Sequence, residues 1–226
     1  MDYYKILNEK EYHHGLQYKF GLNIDPIKFN PSGDCSPGGI YFSREDTLAF
    51  LNCGPWIRKV TIPEDAQVYE DPGKPRKWKA DRVILGKKEK ITAKVIKRLI
   101  DEGADPKVEG NWPLRWAAKN GHLEIVKVLL PYSDPKAFDN FALRWAARNG
   151  YIDIVKLLLP LSDVKTFDSE ALRWAVLNKH LEIVKLLIPH SETNDYVIDY
   201  CKSYCNNQEI LDLIIMNKKV NLNNHL

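Results

Sequence analysis

The stretch N-W-P-L-R-W-A-A-K-N-G-H-L-E-I-V-K-V-L-L at 111–130 decides the architecture, because it returns twice. It comes back as N-F-A-L-R-W-A-A-R-N-G-Y-I-D-I-V-K-L-L-L at 140–159 and as S-E-A-L-R-W-A-V-L-N-K-H-L-E-I-V-K-L-L-I at 169–188. Trp116, Trp145 and Trp174 therefore recur at a step of about 29 residues, within the period range of stacked arrays. A unit this short cannot bury its own apolar face and must stack on copies of itself. The C-terminal half is thus expected to be an all-α solenoid of helix pairs.

Working outward, the helical pattern begins at Thr92, where Val95, Ile96, Leu99 and Ile100 form one apolar stripe. At the other end, Q-E-I-L-D-L-I-I-M-N-K-K at 208–219 echoes the second helix, while Val197-Ile198-Asp199-Tyr200-Cys201 has lost the L-R-W-A signature. Terminal repeats need a polar outer face, so this last unit reads as a cap. The expected division is a head at 1–88, four to five helix pairs at 89–219 and a frayed tail at 220–226.

L-I-D-E-G-A-D-P at 99–106, followed by P-L-R-W-A-A-K-N-G-H at 113–122, resembles the ankyrin repeat. The consensus of that family runs T-P-L-H-x-A-A-x-x-G-H, then a second helix ending in Leu-Leu, then G-A-D. The repeat here is shorter than the usual length of about 33. The deficit falls between helix pairs, where ankyrins carry a β-hairpin finger, so the fingers are expected to be clipped. Pro131 and Pro160 should stop the second helices, because proline lacks the N–H and clashes with the preceding turn. The framework His of the family is replaced by Arg115, Arg144 and Arg173, and the next position by Trp116, Trp145 and Trp174.

These six are read as structural repeat positions. The tryptophans lie beside Leu114 and Ala117 and their equivalents, a core setting. Three stacked guanidiniums need acceptors, and Asp134, Asp139, Asp163 and Asp168 recur at the links to supply them. The resemblance implies that partners are contacted by inner-helix and finger positions. On this chain those are Lys119, Asn120, Arg148, Asn149, Leu177 and Asn178, with Phe138 and Phe167 at the link tips. The mildly basic surface suits a protein partner with acidic character.

Residues 1–90 carry most of the Gly and Pro and no helical repeat. Gly39–Phe42, Trp56–Ile62 and Ala80–Leu85 read as strands, and Pro26–Gly39 as loop. Ser43-Arg44-Glu45-Asp46 has capping-box spacing ahead of a short helix that stops at Gly54. The head is therefore expected to be α+β. His14-Gly15, Gly21-Leu22 and Gly39-Ile40-Tyr41-Phe42 follow an order similar to that of poly(ADP-ribose) polymerase-like ADP-ribosyltransferases. That similarity implies an alternative function in which His14 orients the ribose of NAD and Tyr41 stacks on nicotinamide. The five residues between the His-Gly and Gly-Leu pairs, a step of six from Gly15 to Gly21, are too few for that family's helix, and no Glu has the context of its catalytic carboxylate.

Composition narrows the rest. Hydrophobic content of 44% and charged content of 28% fit an ordinary globular chain and not a disordered one. Net charge of +3 is too small to imply nucleic acid by itself. The alternative of nucleic-acid binding rests on the basic run Lys74–Lys79 and Lys87–Lys90, with Trp78 as a stacking platform, which Glu70, Asp71, Asp81 and Glu89 interrupt. No apolar run is long enough to span a bilayer, and the polar N-terminus lacks a signal peptide, so a cytoplasmic setting is expected. Cys201 and Cys205, with His225 downstream, match no common zinc spacing and read as core thiols. No metal or cofactor is expected. The head followed by Lys- and Asn-rich repeats also resembles the ankyrin proteins of giant amoeba-infecting DNA viruses. That resemblance implies a non-catalytic adaptor acting on a host or viral protein.

Overall fold

The first elements are strands: β1 (Tyr3–Leu7), β2 (Tyr12–His13), β3 (Leu16–Gln17), β4 (Gly21–Ile24), β5 (Ile40–Phe42), β6 (Trp56–Thr61), β7 (Val68–Asp71), β8 (Lys77–Ala80), β9 (Arg82–Leu85) and β10 (Glu89–Lys90). The computed structural model describes residues 2–33, 35–205 and 207–223. It divides into two compact units, Met1–Pro113 and Leu114–Leu226.

In the first unit one sheet has the order β1-β6-β9-β4, with β10 added to β6, and every pairing is antiparallel. Tyr3 stands opposite Val60 and Leu7 opposite Trp56. A second sheet has the order β5-β8-β7, and β2 and β3 form a separate hairpin. Leu7, Ile40, Phe42, Trp78 and Val83 share one core. The strand expected at Ala80–Leu85 is broken at Asp81, so Ala80 ends β8 in one sheet and Arg82 begins β9 in the other. The helix expected after Ser43 is a 3-10 turn, Thr47–Cys53, with no side-chain cap. Ser43 is instead tied to β1 through a bridge with Tyr4, and its hydroxyl donates to Thr47 Oγ1 at 3.1 Å.

Helix α1 (Ala93–Asp101) starts at Thr92, whose hydroxyl accepts from the Val95 N–H. It packs within the first unit: the Tyr4 hydroxyl donates to Glu102 at 2.6 Å, and Asp105 N donates to Glu45 O at 2.8 Å. The buried strands and this helix give the α+β head that the Gly- and Pro-rich sequence implies.

The helix pairs follow the 29-residue step. Inner helices are α2 (Val108–Lys119), α4 (Ala137–Arg148), α6 (Thr166–Leu177) and α8 (Asp195–Tyr204). Outer helices are α3 (Leu123–Leu129), α5 (Ile152–Leu158), α7 (Leu181–Leu187) and α9 (Gln208–Asn223). In the second unit Leu143, Ala146, Val155, Leu158, Leu172 and Val184 are wholly buried, the apolar stripes meeting as stacking requires. Pro131, Pro160 and Pro189 each end an outer α-helix, and the chain continues as one 3-10 turn. No strand occupies the links among the described residues, so the fingers are clipped. Helix α9 runs to Asn223 and so takes in the first part of the expected tail.

Where ankyrins reverse between paired helices, Gly121 and Gly150 adopt φ of +75° and +81°. A Cβ on Gly121 would sit 2.6 Å from the Tyr151 ring, and one on Gly150 2.7 Å from the His180 ring. The glycine thus admits both the left-handed turn and the aromatic ring of the following repeat. The third copy places Lys179 there at φ +59°, a conformation unfavourable for a side-chain-bearing residue.

Candidate functional site

Inner helices α2, α4 and α6 share an entrance that regular helix geometry does not provide. Glu109-Gly110-Asn111 have φ of +52°, +62° and +62°, and Phe138-Asp139-Asn140 have +52°, +55° and +58°. Phe167 and Ser169 repeat the pattern at +50° and +57°. Left-handed α backbone costs L-residues roughly 1–2 kcal/mol each, so something must offset it. The repeated arginine contributes. Arg144 Nε donates to Asp139 O at 2.8 Å and Nη2 to Phe138 O at 3.1 Å, while Nη1 is paired with Glu170. Arg173 Nη2 donates to Phe167 O at 2.8 Å.

Neighbouring repeats are stitched at the same level. Asn140 donates to Thr166 Oγ1 at 2.7 Å and accepts from Asp163 N at 2.8 Å, and Ser169 Oγ accepts from Glu192 N at 2.7 Å. The Arg144 acceptors are thus backbone carbonyls and Glu170, instead of the link carboxylates expected from sequence. Burial pushes the Glu170 carboxyl up. Hydrogen bonds from Trp174 and Arg144, with the Arg144 and Arg173 charges, outweigh that and hold it below the usual range.

Two files of cations on aromatic rings result. In the first, each repeat arginine lies over the ring that opens the next inner helix: Arg115 over Phe138 at 3.9 Å, Arg144 over Phe167 at 5.1 Å and Arg173 over Tyr196 at 5.2 Å. In the second, Lys119 Nζ lies 4.4 Å from the Trp145 ring, and Arg148 lies 4.5 Å from Trp145 and 3.8 Å from Trp174. The two indoles are stacked with centroids 6.4 Å apart, and Phe141 stacks on Trp145 at 5.4 Å. Trp116, Trp145 and Trp174 are half-buried, so they line a surface and do not enter the core as the stripe suggested. Lys119 and Arg148 make no side-chain hydrogen bond or ion pair among the described residues.

A family model for ankyrin repeats, in three copies, matches residues 88–168 and 143–224, more than half of the sequence. The chain belongs to the ankyrin-repeat family. It is 40% identical over 123 residues to "Putative ankyrin repeat protein R229" of Acanthamoeba polyphaga mimivirus, spanning 51% of this chain and 40% of that protein. It is 39% identical over 133 residues to "Uncharacterized protein R869" of the same virus, spanning 57% of this chain and 96% of that protein. A third relative there, "Putative ankyrin repeat protein R868", is 35% identical over 136 residues, spanning 57% of this chain and 66% of that protein. The chain thus spans less than half the length of the first of these relatives. The family marks the repeats as a protein-interaction module.

Of the ankyrin positions expected to meet a partner, Phe138 and Phe167 are exposed at 58% and 54%, and Leu177 at 37%. Asn120 and Asn178 turn back instead, donating to Trp116 O and Trp174 O at 2.8 Å, and Asn149 donates to Lys119 O of the preceding repeat at 2.8 Å. The three amides therefore finish helices and link repeats.

In the head, Tyr41 donates through its hydroxyl to Gly33 O at 2.8 Å and Ser32 O at 3.2 Å. His14 lies exposed in the β2–β3 turn at φ +48°. A cavity of about 200 Å³ brings Tyr41 together with His13, while His14 is not among its lining residues. Neither these positions nor the relatives support the ADP-ribosyltransferase alternative. Trp78 is buried in the head core, so it cannot serve as a base-stacking platform, and Lys79 beside it is fully buried. The nucleic-acid alternative thus loses its stacking platform, and the relatives do not support it. Cys201 and Cys205 are buried, and burial together with the Cys205 charge pushes the Cys201 thiol up to about 12. His225 lies outside the described residues. No helix is long and apolar enough to cross a membrane among the described residues.

Proposed function

We propose that the ankyrin unit is a non-catalytic adaptor surface that binds an acidic segment of a partner protein along the Lys119–Trp145–Arg148–Trp174 file. The observation that carries this reading is a pair of cations held on stacked indoles with no carboxylate partner among the described residues. A guanidinium lying on aromatic rings is preorganised, so little side-chain entropy is lost when a carboxylate meets its N–H edge. Aromatic and Arg residues at the centre of a surface are the types that dominate binding energy. Leu177, exposed beyond Trp174, supplies an apolar contact at the end of the file. Phe138 and Phe167 extend the surface at the link tips, each beneath a repeat arginine.

The test is affinity measured with a partner captured by the full chain from amoebal lysate. Lys119→Ala and Arg148→Ala should each weaken binding by about tenfold. Raising salt from about 50 to 300 mM should weaken wild-type binding further than that of the double variant. Binding that survives both substitutions and is insensitive to salt would overturn the reading.

A further inference from the structure

Lys5 sits in the middle of β1 with only 7% of its surface exposed. Its ammonium donates to Tyr41 O at 2.7 Å and lies 4.7 Å from the Tyr18 ring. Among the described residues no carboxylate accompanies it, yet it borders the 200 Å³ cavity of the head. The other basic groups on that cavity are Lys77 and His13, and no Asp or Glu lines it among the described residues. Lys77 is already engaged, 3.4 Å from Asp71 and 3.1 Å from Cys35 Sγ. Much of the remaining wall is aromatic, including Phe42 and Phe50.

Burying an ammonium without a counter-ion is costly, and chains usually avoid it by pairing the charge or placing it in water. Here the charge borders a partly open, largely apolar hollow. We propose that this cavity is a binding site for a small organic anion, a carboxylate or phosphate on an apolar body, with Lys5 as its charge partner. The site is independent of the ankyrin surface. The anion would take the remaining ammonium donors, and the aromatic walls would hold the body, an arrangement typical of small-molecule sites.

Burial strips water from Lys5 and lowers its pKa to about 8, with the Cys53 charge opposing that fall. At neutral pH it is therefore still mainly charged. The titratable groups facing it are Cys53, His13, Tyr18, Tyr41, Cys35 and Lys77. Burial and the neighbouring His14 and Lys5 charges hold His13 below the usual imidazole range, so it is neutral where Lys5 titrates. Burial raises Cys53 and Tyr41, and Lys77 is raised by Cys35 and Asp71 against its own burial, which leaves Lys5 as the basic group of the cavity that loses charge near pH 8.

The experiment is calorimetric titration of the full chain with benzoate and phenyl phosphate, and with benzyl alcohol as the neutral control. At least one anion should bind about tenfold more tightly than the alcohol at pH 7, and Lys5→Met should lose that advantage. In the wild type, anion affinity should fall as pH rises through about 8 while that of the alcohol stays level. The pH series, run on Cys35→Ser so that this exposed thiol gains no charge beside the anion, decides the matter if Lys5→Met does not fold. Equal binding of anions and alcohol, no binding of either anion, or unchanged anion binding by a folded Lys5→Met would overturn the proposal.

Discussion

Lys5 of the head and the arginines of the repeats are held in opposite ways. In the head, Lys5 is sunk in a strand with one carbonyl acceptor and a cavity beside it. In the repeats, Arg144 spends its donors on two carbonyls of a left-handed turn and on Glu170, and Arg148 lies on two indoles. The contrast follows the two side chains. A guanidinium is planar, weakly hydrated and always charged, so it clamps carbonyls and stacks on rings at modest desolvation cost. An ammonium is a compact, strongly hydrated charge whose pKa yields when water is removed. The repeats use cations as fixed parts, and the head holds one whose charge depends on its surroundings.

The sharpest way to break this comparison is to remove one arginine of each kind from the repeats. Arg144→Ala leaves the carbonyls of Phe138 and Asp139 and the Glu170 carboxylate without their partner, so unfolding stability should fall by about 2–3 kcal/mol in denaturant melts. Arg148→Ala should cost less than half as much, because only ring contacts are lost. Equal losses would erase the distinction between clamp and free surface cation.

The second test separates the head from the repeats by pH. Lys5 binds its proton less tightly folded than unfolded, since its pKa drops from 10.5 to about 8. Between those values the unfolded chain holds more protons at Lys5, so the Lys5 contribution to stability rises as pH climbs from about 8 to 10.5, while Cys53, Cys201, Tyr4 and Tyr18, held protonated by burial, contribute a fall. The stability of wild type relative to Lys5→Met should therefore improve over that range, and a difference that stays constant with pH would show that Lys5 is not buried as a cation.

The smallest effect concerns the reversal between α6 and α7. Lys179→Gly removes the strain of a left-handed residue and restores the glycine of the other two copies, which should stabilise the protein by about 1 kcal/mol in thermal melts. No gain would mean that the Lys179 side chain stabilises that turn by contacts of its own.

Much of the repeat unit was legible because its contacts are local and recur. The L-R-W-A-A motif, the Gly-His and Gly-Tyr reversals and the proline stops each act within a few residues of where they stand. The left-handed entrance was not legible, since Phe-Asp-Asn carries no glycine to announce positive φ and depends on an arginine farther along the same helix. Nor was the surface role of Trp145 and Trp174: periodicity marks the stripe to which a residue belongs, but the edge of that stripe is set by packing in three dimensions. The head was read in fragments. Gly39–Phe42 and Trp56–Ile62 were found by their β-branched and aromatic content, whereas β1 went unseen because it is buried along its length and carries Lys5. Charged runs also misled, since Lys77-Trp78-Lys79 looks solvated in sequence and forms a strand whose Trp78 and Lys79 are buried.

By itself the sequence determined an α+β head followed by an ankyrin solenoid with shortened links, because a 29-residue repeat can bury its apolar stripe in essentially one way. Only the tertiary structure decided which cations are paired and which lack a carboxylate among the described residues. That depends on which carbonyls, rings and carboxylates lie within a few ångströms, and these come from residues distant in the chain: Lys5 with Tyr41, Arg144 with Glu170, Arg148 with Trp174.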